Sequence, residues 1–354
     1  MNLWPHQAHL QMRNLLQTHM TTAKNRDLFL VGLMLFLMLL FPFVKGTETL
    51  KLNETAPSNQ QIYRISHETY NYPKPEMFDF LTTLPSNGKE YVSRAFGTSK
   101  EHMKAYAGIF FSTAFLLKFD EQIKRDFQTI GRKVGLGNGE GSVGTLKIGS
   151  FKLMRRPGDL GSFFYFLGDG WTTIFLSAGF YTASKMTDDI RAYSVSHQLM
   201  QGLLLTGIST QIVKRITGRE SPNRASRPGG DIRPFPSFAE YQKNTAGYDA
   251  FPSGHLATLM TSYMIIAENY AEYTWIKPVG ITALSLLAYQ MVNNSVHWIS
   301  DYPLSIGIGY VLGKTIVDRH REKLSPQTSN RSDLEIYPML SPGGIFGLHA
   351  TATF

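Results

Sequence analysis

Six stretches, 103–118, 162–186, 192–217, 254–272, 275–292 and 301–320, each hold enough apolar residues to bury one face of a helix, with loops between them. Polar residues interrupt several of them: Asp169 in the second, and His197, Gln198 and Gln201 in the third. A helix facing lipid rarely tolerates such groups, because hydrocarbon offers them no hydrogen-bond partner. The pattern therefore predicts a helical domain, soluble or surface-bound, over a set of membrane spans, although the last two segments are apolar enough to insert. A mean hydropathy of -0.15 agrees. Apolar residues make up 43% of the chain, enough for a sizeable core. The 17 Tyr and 23 Phe hint at work near apolar material.

The net charge of +8 favours anionic partners such as phosphate esters and lipid head groups. The basic residues are scattered and form no arm or nucleic-acid motif, which argues against nucleic acid. With no cysteine, disulfides, thiolate metal sites and a cysteine nucleophile are excluded. Lys24 and Arg26 precede the largely apolar run Leu28–Val44, and polar sequence follows. That order reads as a signal peptide or signal anchor within residues 1–45, and predicts export to the periplasm or a membrane-associated place outside the cytoplasm. Residues 46–100 are polar and read as an exposed lead-in, 101–322 as the helical domain, and 323–354 as a tail with no functional reading. The glycine-rich stretch 131–149 contains a GxGxxG at Gly139, Gly141 and Gly144, but no strand precedes it and no helix start follows. Without that context a surface loop is the better reading than a nucleotide site.

Chemistry concentrates in three clusters. Lys214 to Pro222 closes an apolar helix and runs into a loop rich in Pro, Gly and Arg. Phe251-Pro-Ser-Gly-His255 opens another helix, and His297-Trp-Ile-Ser-Asp301 follows. Pro252 and Ser253 suit a helix start, so the first amides are expected to be free and to form an anion site with the helix dipole. Gly254 permits close approach, Ser253 adds a hydroxyl, and His255 beside the anion can protonate a departing alkoxide. His297 and Asp301, four apart, would touch on one helix face, so that the carboxylate orients the imidazole as a nucleophile. Lys214 supplies positive charge for phosphate oxygens. Each piece alone has an ordinary reading as a cap, a helix-terminal charge or a surface pair; their joint occurrence points to chemistry.

In this order the clusters resemble the signature of the type-2 phosphatidic acid phosphatase superfamily, K-x6-R-P, P-S-G-H and S-R-x5-H-x3-D, a group that includes vanadium haloperoxidases. The resemblance implies an all-α bundle of about six core helices. It also implies a metal-independent phosphatase acting through a phosphohistidine, with no cofactor. Carried over, Lys214, Ser253 and Gly254 would bind phosphate, His255 would be the acid, His297 the nucleophile and Asp301 its partner. The expected substrate is a phosphorylated lipid or a small phosphate ester, with membrane-surface contact. Two positions depart from the pattern: Ser221 stands for the first-motif arginine, and Gln290-Met291 for the Ser-Arg of the third. Arg219 is the expected substitute at the phosphate, with a surface salt bridge to Glu220 or Asp231 as its alternative. The lost arginines leave two other readings of the same fold: a degenerate member that binds phosphorylated head groups without turnover, and a vanadium-dependent haloperoxidase.

Overall fold

A computed structural model describes residues 59–137, 142–148, 151–324, 333–340 and 346–353. The Leu28–Val44 run lies outside them. The described chain opens with an antiparallel hairpin, β1 (Gln60–Ile65) and β2 (Glu68–Pro73). Four helices follow: α1 (Asp79–Thr82), α2 (Leu84–Ala95), α3 (Lys100–Leu117) and α4 (Asp120–Lys133). A second hairpin, β3 (Ser142–Ile148) with β4 (Phe151–Pro157), leads to α5 (Leu160–Phe166) and α6 (Gly170–Thr187). Then come α7 (Ile190–Thr217), the short α8 (Phe238–Lys243), α9 (Gly254–Asn269), α10 (Ile276–Asn293) and α11 (Tyr302–His320). β5 (Glu322–Leu324) pairs with β2 to complete a three-stranded sheet, and β6 (Asp333–Leu340) pairs with β7 (Phe346–Thr353).

The protein is mostly helical, as expected, and α3, α6, α7, α9, α10 and α11 fall on the six apolar stretches. The main core joins α6, α7, α9 and α11 through Phe180, Val195, Leu199, Ala257, Ile265, Leu312 and Ile316. α7 is enclosed from Ile190 to Leu199. Its polar breaks are interior contacts: Gln198 accepts a hydrogen bond from Asn269, and Gln201 accepts one from Asn87. Such pairing is what buried amides require. A second cluster sets Leu256 and Leu259 of α9 against Leu287, Met291 and Val292 of α10, with Ile123 and Phe127 of α4. Among the described residues no helix is long and apolar enough to cross a membrane.

Several expectations need correction. The segment 162–186 is two helices, because Asp169 accepts from the Trp171 amide and starts α6 afresh. The described part of the 46–100 stretch carries two strands and two helices, and buries Tyr63, Ile65 and Tyr72 against the helical body. The glycine-rich stretch contains β3, which includes Gly144, while Gly139 and Gly141 lie outside the described residues. The element before it is α4, a helix, so the strand that a dinucleotide site needs is missing there.

Candidate active site

Three loops and helix ends meet at the C-terminal end of α7. Gly218 ends that helix with φ of 56°, in the left-handed region. A Cβ there would fall 1.8 Å from the Arg233 carbonyl oxygen, so the residue is held to glycine and the chain turns sharply behind Lys214. Lys214 is buried, and its ammonium reaches the start of α9: a Cβ on Gly254 would lie 3.8 Å from Lys214 Nζ and equally far from Thr210 Oγ1. Lys214 Nζ is also 3.5 Å from Asp249 Oδ2, and the Ser221 hydroxyl donates to Asp249 Oδ1 across 3.4 Å.

Ser253 is the cap of α9, accepting from the Leu256 amide at 3.3 Å. Its own amide donates to Ser305 Oγ and its hydroxyl to the Met291 thioether, so the Ser253 N–H is not free as the sequence suggested. The Gly254 and His255 amides, in the first turn, have no intramolecular acceptor among the described residues and keep the anion-binding arrangement. His255 follows at once. Its ring lies 4.5 Å from that of Tyr165, centroid to centroid, and Gly168 runs directly beneath it. Burial first, then the neighbouring His297 and Lys214, push the His255 imidazole down to about 3. It is therefore neutral when no anion is nearby, and a bound phosphate acts in the opposite direction.

His297 comes from the α10–α11 connection. Its Nδ1 lies 2.7 Å from the Ala250 carbonyl oxygen, which can only accept. The proton consequently sits on Nδ1, and Nε2 carries the lone pair. Residues 297–301 form an extended step and a 3₁₀ turn, Ile299–Asp301, rather than the α-helix expected from the i,i+4 spacing. The result is that Asp301 Oδ2 stands 3.4 Å from His297 Nδ1, beside rather than in line with its hydrogen bond. The orienting group is the Ala250 carbonyl, and Asp301 supplies a fixed negative charge.

Arg219 does not take the place expected for it. The residue is 3% exposed, and its guanidinium is committed away from the phosphate position. Nη1 donates to Asp301 Oδ1 at 2.5 Å and to Ser300 Oγ at 2.8 Å. Nη2 donates to Asp120 Oδ2 at 2.7 Å and to the Gly229 carbonyl at 2.8 Å, and Nε also points to Gly229. All five N–H groups are thereby used. Neither the phosphate role nor the surface pair with Glu220 or Asp231 holds. Arg219 braces Asp301 from behind, together with Asp120, whose carboxyl is pushed up by burial. Ser300 adds two hydrogen bonds to Asp120.

The structure thus brings Lys214, Gly254, His255, His297 and Asp301 together, uses Ser253 as a cap, and sets Arg219 behind Asp301. Sequence reasoning passed over Thr210, Asp120, Tyr165, Gly168, Asp249 and the Ala250 carbonyl. Asp249 alone carried a signal, as a carboxylate four residues ahead of Ser253. Among the described residues no group of three or more metal-type side chains is gathered.

Lys214, the His255 ring with the first-turn amides of α9, and His297 are thus gathered at this end of the helical body. Residues 198–324 match the profile of the PAP2 superfamily, and this region holds every expected site residue. Over that region the match supports phosphatase-type chemistry and phosphate-ester substrates in general. No curated protein and no solved structure matches the chain.

Proposed function

We propose that the chain is a phosphatase that hydrolyses a phosphomonoester or diphosphate through a phosphohistidine on His297, without a metal ion. The observation that carries this reading is the donation from His297 Nδ1 to the Ala250 carbonyl, which leaves Nε2 as the nucleophile. Nε2 attacks phosphorus, the N–P bond forms as the ester P–O bond breaks, and protonated His255 gives its proton to the departing oxygen. Asp301 stabilises the positive charge that develops on His297. Lys214 and the Gly254 and His255 amides hold the phosphoryl oxygens as charge shifts onto them. In the second half, neutral His255 takes a proton from water, the water oxygen bonds to phosphorus, and the N–P bond breaks to release phosphate.

A phosphorylated lipid is the substrate class we favour. α3 packs on the Ile299–Asp301 turn and presents Phe110, Phe111 and Phe115, each about two-thirds exposed, away from the body. The Lys24, Arg26 and Leu28–Val44 pattern supports a place outside the cytoplasm.

The test is phosphate release by the purified protein from a panel of phosphorylated lipids and p-nitrophenyl phosphate in EDTA, beside His297→Ala. We expect release that survives EDTA and drops by at least about 10³-fold in the variant, as loss of a nucleophile requires. No release from any substrate would leave a binding protein of the same fold. Halide peroxidation appearing only with added vanadate would make it a haloperoxidase.

A further inference from the structure

We propose that Asp249 makes this site selective for a phosphoryl group carrying one negative charge, a protonated monoester anion ROPO₃H⁻, rather than the dianion. The inference rests on the phosphatase reading of the site and adds its substrate's charge state.

Positive charge is scarce at this end of α9. Ser221 and Met291 occupy the positions of two family arginines, and the Arg219 guanidinium is fully engaged by Asp120, Asp301, Ser300 and Gly229. Lys214 is therefore the one lysine or arginine that the described contacts bring to the Gly254 end of α9, and Asp249 lies 3.5 Å from it. The charged and titratable groups around Asp249 are few. Lys214 faces it from α7, and Tyr241 faces it from α8, where the Asp249 charge helps push the phenol up after burial. On the other side Asp249 is followed by Ala250, whose carbonyl holds His297. Ser221 contributes only a hydroxyl. An arginine at 221 would neutralise Asp249 and leave Lys214 free for substrate; serine cannot do so.

A phosphate dianion held by Lys214 and the α9 amides lies beside this carboxylate, and like charges at such range repel. A protonated phosphate oxygen reverses the sign, because its O–H donates to Asp249 in a charge-assisted hydrogen bond. The same proton answers a need of the reaction. His255 is held neutral by its buried surroundings. The bound ROPO₃H⁻ shares this proton between Asp249 and His255; when His255 holds it, the imidazolium offsets the second negative charge of the phosphoryl group, and it then protonates the leaving oxygen. The proton that enters on the substrate leaves on the alcohol, and no other acid is required.

The test is calorimetric binding of inorganic phosphate to the full chain from pH 5 to pH 8, for wild type, Asp249→Asn and Asp249→Ser. Binding needs no turnover, so a chain that shows the pH dependence yet hydrolyses nothing would sink the catalytic reading and keep this one. We expect wild-type affinity to fall about tenfold per pH unit once the anion passes its second ionisation, near 6 for phosphate monoesters and higher for inorganic phosphate. His255, on which a bound anion favours the proton, acts on the same slope, so the sign of the Asp249 effect at pH 8 decides. Both variants should bind phosphate at least tenfold more tightly than wild type there. Weaker binding by both variants at every pH would mean that Asp249 only positions Lys214, and would overturn the proposal. So would wild-type affinity that is equal at pH 5 and pH 8, or no binding at all.

Discussion

At the scale of single residues, the reassignment of Arg219 is the point with the sharpest consequence. Its guanidinium bridges Asp120 and Asp301, both fully buried, so removing it leaves two carboxylates without their cation. Breaking a buried pair in this way costs about 3–5 kcal/mol. Lysine keeps the charge but not the fork that reaches both acids and the Gly229 carbonyl. We therefore expect Arg219→Lys to lower the urea midpoint clearly and to slow turnover through a displaced Asp301, while phosphate affinity changes less than about threefold. A large loss of phosphate affinity with unchanged stability would return Arg219 to the phosphate. The sequence suggested the wrong role because a one-dimensional motif shows which residues are near the site but not which acids compete for them. Asp120 lies 99 positions away, at the start of a helix that the apolar pattern did not mark.

Among elements, legibility followed burial. The helices that supply the core were visible as apolar stretches, whereas α4 was missed because its charged residues mask the period Ile123, Phe127, Ile130, two of which pack against α10. The β1–β2 hairpin was missed for another reason. Its two-residue turn uses Ser66 at φ of 57°, where the usual sequence signal is Asn or Gly. The α5–α6 joint at Gly168 lets the chain pass under His255. A Cβ at Gly168 would sit 2.7 Å from His255 Cβ and 2.8 Å from the His255 carbonyl oxygen, so neither a flexible side chain nor solvent can yield. Gly168→Ala should shift the first turn of α9 and cost about 1–3 kcal/mol by overpacking. Because a displacement near 1 Å can cost ~10²-fold in rate, kcat should fall by about 10–100-fold with the fold retained. A variant with wild-type kcat and wild-type melting would show that this contact does not position His255.

For the whole molecule, the question is where the folding unit begins. The apolar pattern set its edge near residue 101, but the described chain ties earlier residues into the helical body at both ends. β2 pairs with β5 just beyond α11, and the Tyr63 hydroxyl donates to Asp189, the cap of α7, at 2.8 Å. Tyr72 donates to Asn269 at the end of α9, and Asn87 donates to Gln201 inside α7. Arg191, buried and paired with Glu272, lies between the rings of Tyr63 and Tyr270 at 4.6 and 4.1 Å. Removing residues 1–100 would take away one face of that sandwich and the partners of two buried amides, Asn269 and Gln201, and of the half-buried Asp189. It would also expose the surface that Tyr63, Ile65 and Tyr72 cover. Large apolar side chains contribute roughly 1.5–3 kcal/mol each on burial, so the three together approach the ~5–15 kcal/mol net stability of a typical domain. We expect a chain starting at Glu101 to be insoluble or to melt without cooperativity by circular dichroism, and a chain starting at Asn59 to melt cooperatively. If the shorter chain melts within a few degrees of the longer one, the sheet is an appendage and the edge at 101 is real. If it does not, residues 59–100 are part of the same folding unit as the site, and Tyr63 or Tyr72 substitutions will lower activity through stability alone.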